Sequence, residues 1–307
     1  MARSSTQSAA NGWRVVHRSP SIIIGDYRCR VHGCGRGREE TSKGHDFALP
    51  RSGMFVKHVR GEDVVAEPNT VLFFNADEPY QVSHPGGPSD RCTTFAASPQ
   101  TLLDALARRD PSVADHPDRP FARSHAACDG ALFLAHRTLL SRAASGEADS
   151  VELDERAFDV LDRVAAAASA QPSIRLRRRV RADTLVAHRE VVQAAKLAMA
   201  ARFSQRLTLE EIAVEACSSP YHLSRVFRSL VGASLHAHLR RLRLRNALEA
   251  MLDDRMDLTS VALRNGFFDH SHFSNAFRSE FGFTPSQCRA RLSRGGLRQM
   301  SRDFQVA

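Results

Sequence analysis

Residues 207–232, LTLEEIAVEACSSPYHLSRVFRSLVG, and residues 258–282, LTSVALRNGFFDHSHFSNAFRSEFG, are two versions of one pattern. Each reads as a short helix, a tight break and a second helix that ends in an apolar residue and Gly. In the first, Thr208 is placed as an N-cap, with Glu210 and Glu211 in the first turn where the helix dipole favours anions. Ser218 or Ser219 then caps the second helix, and Pro220 suits its first turn. Leu223, Val226, Phe227 and Leu230 recur at helical spacing and are read as inward-facing. That leaves Tyr221, His222, Ser224, Arg225 and Arg228 facing out.

The second version repeats the logic. Asp257 or Thr259 caps a helix carrying Val261, Ala262 and Leu263, and Asn265-Gly266 supplies the break because both tolerate positive φ. Phe273, Phe277 and Phe281 point inward, while His270, Ser271, His272, Ser274, Asn275 and Arg278 face out. Residues 234–252, SLHAHLRRLRLRNALEAML, read as one long helix between the units. Thr284-Pro285-Ser286 opens a last short helix with Arg289 and Arg291. A helix inserted in a DNA major groove needs such a face: polar side chains near its N-terminus and an Arg able to meet a guanine edge or a phosphate.

Charge points the same way. The chain carries +9 overall, but residues 183–307 hold 18 basic against 12 acidic groups, and RLRRRVR (175–181) adds five Arg with no acid. The first 174 residues are left with 20 basic and 22 acidic groups, so the basic excess sits where the two patterns are. This is the footprint of a polyanion binder attached to a near-neutral partner region. A GC-rich genome explains the preference for Arg over Lys but not the asymmetry.

Residues 186–292, and in particular RLRLRNALEAML and GFFDHSHFSNAFRSEFGFTPSQCR, resemble the DNA-binding domain of the AraC/XylS family of transcription regulators. The resemblance implies seven helices, two helix-turn-helix units joined by a long helix, and binding to asymmetric promoter sites. It places base contacts on Tyr221, Ser224 and Arg225 in the first unit. In the second they fall on His270, Ser271, His272, Ser274 and Asn275. It also implies RNA polymerase as a partner and an activating role. Three positions depart from the family pattern. Asn275 replaces the usual Arg, which shifts preference from guanine toward adenine. Cys217 replaces the Gly often found at the first break, and Cys288 replaces an aromatic and is read as core.

The N-terminal half reads differently, so the fold class expected is α+β. Residues 1–19 are polar and read as a flexible N-terminus. Residues 20–98 hold short β-prone runs (IIIGDYRCRVH, GMFVKHVRG, DVVAEPNTVLFF, YQVSH) broken by Gly, Pro and Asn. They resemble a cupin-like β-barrel sensor domain, on the strength of EPNTVLFFNADEPYQVSHPGG. Residues 99–168 read as a helical hairpin with Ala-rich faces, through which a homodimer is expected; the alternative is a hairpin folded on its own barrel. Residues 169–185 read as a basic linker and 293–307 as a C-terminal tail. An unknown small effector is expected inside the barrel, lined by Glu40, His45, Phe55, Phe73, Asn75 and Tyr80.

Other classes fare worse. Metal-dependent cupin catalysis needs clustered inward His and carboxylate, yet Tyr80 follows Pro79 and no His-x-His pair occurs. No enzyme activity, cofactor or metal is therefore expected. Cys29, His32 and Cys34 form a compact group that keeps a metal- or redox-responsive reading open, although residues 29 and 34 of a strand face opposite ways. A methyl-acceptor enzyme would need a four-Cys zinc site, which Cys29, Cys34, Cys92 and Cys128 do not supply in close pairs. No apolar run suits a membrane span or a secretion signal, so a cytoplasmic protein with promoter DNA as its partner is expected.

Overall fold

The computed structural model describes residues 12–29, 35–85, 90–170, 182–253 and 256–292. Strands β1 (Gly12–Arg18), β2 (Ile22–Arg28), β3 (Glu40–Thr41), β4 (Asp46–Ser52), β5 (Phe55–Val59), β6 (Glu62–Ala66), β7 (Thr70–Phe74), β8 (Pro79–Ser83) and β9 (Arg91–Ala97) come first. Helix α1 (Pro99–Ala107), strand β10 (His125–Ala127) and helices α2 (Gly130–Ser145) and α3 (Ser150–Ser169) follow. Seven helices complete the described chain: α4 (Ala182–Ala201), α5 (Leu209–Glu215), α6 (Pro220–Val231), α7 (Leu235–Asp253), α8 (Leu258–Arg264), α9 (His270–Phe281) and α10 (Pro285–Leu292).

The strands form two open antiparallel sheets, ordered β1-β2-β9-β4-β7-β10 and β3-β8-β5-β6. Neither strand order closes on itself, so the strands form two sheets and no closed barrel, with Ala48, Leu72 and Cys92 of the large sheet packed against Phe55, Val64 and Ala66 of the small one. The expected flexible N-terminus is corrected in part, because Gly12–Arg18 pair with β2 along their length. β4 carries Pro50, which local reading takes as a break. The register shifts between Pro50 and Ser52, so the proline sits at an irregularity where no ladder N–H is needed. Phe47 and Phe95, cross-strand partners of β4 and β9, stack with centroids 4.7 Å apart.

The hairpin packs on the large sheet. Leu132, Phe133, Leu139 and Leu140 of α2 and Leu153, Val160, Leu161 and Val164 of α3 are buried with Ile22, Phe47 and Phe95 of the large sheet. Val151 and Phe158 of α3 remain exposed on the outer side of the hairpin. The same core continues into Leu244, Leu248 and Met251 of α7 and Phe273, Phe277 and Phe281 of α9, and ends on Leu292. The first helix-turn-helix unit is separate: Val192, Met199, Ile212, Leu223, Phe227 and Leu239 form their own cluster. One unit is thus fused to the N-terminal half, and the other stands beside it.

Candidate nucleic-acid interface

Both second helices are built by the same local rules. Ser219 caps α6, its side chain accepting from the His222 N–H, and Pro220 occupies the first turn. Asp269 caps α9 by accepting from the His272 N–H at 2.7 Å. α6 ends on Gly232 (φ 75°) and α9 on Gly282 (φ 83°), each closing its helix in the left-handed conformation that costs Gly nothing. The breaks before the helices also correspond. Gly266 has φ 78° and Cys217 has φ 48°, so a non-Gly residue holds the strained position in the first unit.

Each helix buries one face and presents the other. In α6, Leu223, Val226 and Phe227 are buried, whereas Tyr221, His222, Ser224, Arg225 and Arg228 are exposed. Leu230 is only half-buried, at the edge of that core. In α9, Phe273, Phe277 and Phe281 are buried, with His270, Ser271, His272, Asn275 and Arg278 exposed and Ser274 half-buried. Arg225 donates to the Tyr221 hydroxyl at 3.3 Å, and its guanidinium lies 5.7 Å from the centre of that ring. The pair, one turn apart, holds the Arg extended along the exposed face. Ser274 Oγ lies 3.5 Å from His270 Nε2, and His272 rests edge-on against Phe267.

One residue escaped the sequence reading. Phe268 is 86% exposed beside the Asp269 cap. The signal was the doublet Phe267-Phe268, since only one of two adjacent aromatics can face the core.

The two units are joined by an arginine clamp. Arg243 of α7 donates Nε to the Phe203 carbonyl (2.6 Å) and Nη2 to the Gln205 carbonyl (2.7 Å), tying down the loop before α5. A Cβ on Gly266 would meet Ser204 O at 2.8 Å and Arg243 Nε at 2.9 Å. The second break is therefore a close approach to the first unit as well as a turn.

The N-terminal half grips α7 with buried polar groups. Arg245 is fully buried and donates to the Pro68 and Cys128 carbonyls, both at 2.7 Å. Glu67 is also fully buried, 3.3 Å from His238 Nε2, and accepts from the Asn69 N–H and the Thr70 hydroxyl. Burial alone would raise the Glu67 carboxyl. The charge and hydrogen bond of His238, with Lys196 and the Asn69 N–H, hold it down to about 2. Arg137 of α2 pairs with Glu249 of α7 at 2.5 Å.

Beside this grip lies a cleft of about 1070 Å³ between β10 and α3 on one side and α4 and the start of α7 on the other. Arg60, Arg123, Arg163, Arg189, Lys196 and Arg241 line it. Burial pushes the Lys196 ammonium below its ordinary range, against the pull of Glu67 and Glu62. The six expected effector residues do not line this cleft. Glu40 and Tyr80 pair across β3 and β8, with the Tyr80 hydroxyl donating at 3.2 Å. His45 Nδ1 accepts from the Ala76 N–H. Phe55 faces His84, and Phe73 stacks on Phe121 at 4.6 Å. Asn75 exchanges two hydrogen bonds with the Phe121 backbone. Phe73 and Asn75 thus hold Phe121 in place. Of the Cys29, His32 and Cys34 group, only Cys29 lies among the described residues, as does none of Arg175–Arg181.

Known proteins agree on the C-terminal region. Residues 212–291 match the helix-turn-helix domain family. The HTH-type transcriptional regulator ArgR of Pseudomonas aeruginosa is 33% identical over 109 residues, which is 36% of this chain and 32% of that protein. The HTH-type transcriptional activator AarP of Providencia stuartii is 31% identical over 83 residues, 27% of this chain and 62% of that protein. The solved C-terminal domain of AraT from Geobacillus stearothermophilus is 33% identical, with a TM-score of 0.31 over 32% of this chain and 83% of that one. The chain thus spans about a third of ArgR and under two thirds of AarP.

Proposed function

We propose that this chain, whose C-terminal region is an AraC-type helix-turn-helix domain, is a sequence-specific transcription regulator that reads promoter DNA with α6 and α9. The observation that carries the reading is the repeated construction of those helices: capped by Ser219 and Asp269, apolar on one face, polar and exposed on the other. Tyr221, Ser224 and Arg225 read bases in one half-site, and His270, Ser271, His272, Ser274 and Asn275 in the other. Arg228 and Arg278, further along each helix, meet phosphates, with His222 at the groove edge. The sign of regulation is activation, with RNA polymerase as the partner met at the promoter and the cytoplasm as the compartment.

The effector reading moves from the sheets to the cleft. Its walls also carry Glu62, Asp129, Asp159 and Asp162, but basic groups outnumber them, and that excess suits a small anionic molecule, a carboxylate or phosphate ester. Because the cleft lies where α4 of the first unit meets the N-terminal half, through contacts such as the Val65 N–H donating to Gln193, such a molecule would bias the angle between the two reading heads. A homodimer would pair through the exposed side of the hairpin, where Val151 and Phe158 stand.

The test is selection of random duplex DNA by the full-length protein, followed by affinity against salt for the winning site. Enrichment of two blocks about one helical turn apart supports two reading heads. Salt-sensitive binding with no enriched sequence rejects specific recognition.

A further inference from the structure

Where the two sheets fail to close, three side chains with metal-ligand chemistry meet. Cys29 follows β2 and Asp90 precedes β9, both in the six-stranded sheet, while His84 follows β8 in the four-stranded sheet. The Cys29 thiol, a His84 ring nitrogen and an Asp90 carboxylate oxygen all lie within 4.8 Å of one another. Bonds of about 2.0–2.3 Å set the ligand atoms of a tetrahedral zinc ion roughly 3.3–3.8 Å apart. The three side chains therefore close on such an ion with small rotations.

The surroundings aim them. Cys29 is 1% and Asp90 3% exposed. The Cys29 N–H donates to the Asp90 carbonyl at 3.0 Å, which locks the two strand ends together. The Cys92 thiol donates to Asp90 Oδ2 at 3.8 Å and so directs Oδ1 inward. Among the described residues that oxygen is buried with no hydrogen-bond donor in good geometry, and it faces His84 Nε2 at 3.1 Å as an ion-pair partner. With His84 protonated the two form an ion pair, and a cation bound among the three side chains takes the place of that proton.

We propose that Cys29, His84 and Asp90 form a binding site for one zinc-like divalent cation that staples the two sheets. Thiolate, imidazole and carboxylate together favour zinc over magnesium or calcium, which take oxygen ligands. The thiolate and carboxylate charges balance the dication, and three protein ligands leave a fourth position open. This inference does not depend on DNA binding.

The experiment is titration of chelator-treated full-length protein with cobalt(II), followed by displacement with zinc(II). We expect one equivalent of cobalt to bind with a thiolate-to-cobalt charge-transfer band that zinc abolishes. Cys29→Ser removes the band, and His84→Gln and Asp90→Asn each weaken zinc binding at least tenfold. Cys217→Ser, which alters an exposed thiol, leaves both unchanged. Zinc also raises the melting temperature of the parent protein but not of His84→Gln. This keeps the test decisive if Cys29→Ser does not fold. No charge-transfer band in the parent protein, or a full-strength band in folded Cys29→Ser, overturns the site.

Discussion

Arg225 sits on an exposed face with Tyr221 bracing its guanidinium, so its function can be separated from folding. Arg225→Ala is expected to cost roughly 1–3 kcal/mol at the selected site and to relax preference at one position. Binding measured across a panel of sequences checks this, and an equal loss on all of them would make Arg225 a phosphate contact. Lys57 is the opposite case, a cation inside the fold. Its Nζ donates to the Phe73 carbonyl and lies 3.7 Å from the centre of the Phe74 ring. Burial lowers it from 10.5 to about 7, against the attraction of Glu78 and of the ring face. The fold thus disfavours the charged form. The penalty is full below pH 7 and fades as pH rises toward the unfolded value, so stability should climb across that window by up to ~1.4 kcal/mol per pH unit. Thermal melts from pH 7 to 10 should show a climb that Lys57→Met flattens; an identical climb in the variant would sink the assignment.

At the scale of elements, the break in the second unit should be less tolerant than that in the first. Gly266→Ala meets both a positive φ and the Arg243 clamp, and should destabilise the protein by about 1–3 kcal/mol. Cys217→Gly relieves left-handed backbone at a break among exposed residues and should be neutral or stabilising by less than about 1 kcal/mol, with DNA affinity retained. Chemical denaturation and operator binding of both variants test the contrast, and loss of operator binding in Cys217→Gly would point to a role for the thiol. The helical elements were legible because apolar spacing, caps and breaks are all local. Of the described helices, α6, α7 and α9 lie where their spacing predicts. The sheets were harder. β4 hides behind Pro50, and β9 pairs with β2 and β4 through contacts remote in sequence, so a barrel and two open sheets look alike from within one strand. The metal-like group was missed for the same reason. The compact spacing of Cys29, His32 and Cys34 drew the reading, whereas the partners of Cys29 come from the far ends of other strands.

For the whole molecule, the uneven attachment of the two reading heads matters most. α9 shares its core with the large sheet and the hairpin, and Arg245 pins α7 to the Pro68 and Cys128 carbonyls. Arg245→Met leaves those carbonyls without their donor and Glu280 with Arg241 alone, and should cost about 3–5 kcal/mol. Hydrogen exchange should then show early opening along α7 and α9, with the α4–α6 cluster retaining its protection. Uniform loss of protection across the chain would mean the first unit is not independent. The shared core also has a consequence during synthesis. It runs from Ile22 to Leu292, so it cannot be completed until α10 has left the ribosome. A prematurely terminated chain has no finished second head and a sheet with an open flank. The second head is therefore complete only once α10 has formed, whereas the core of the first closes at Leu239, so the two heads mature one after the other.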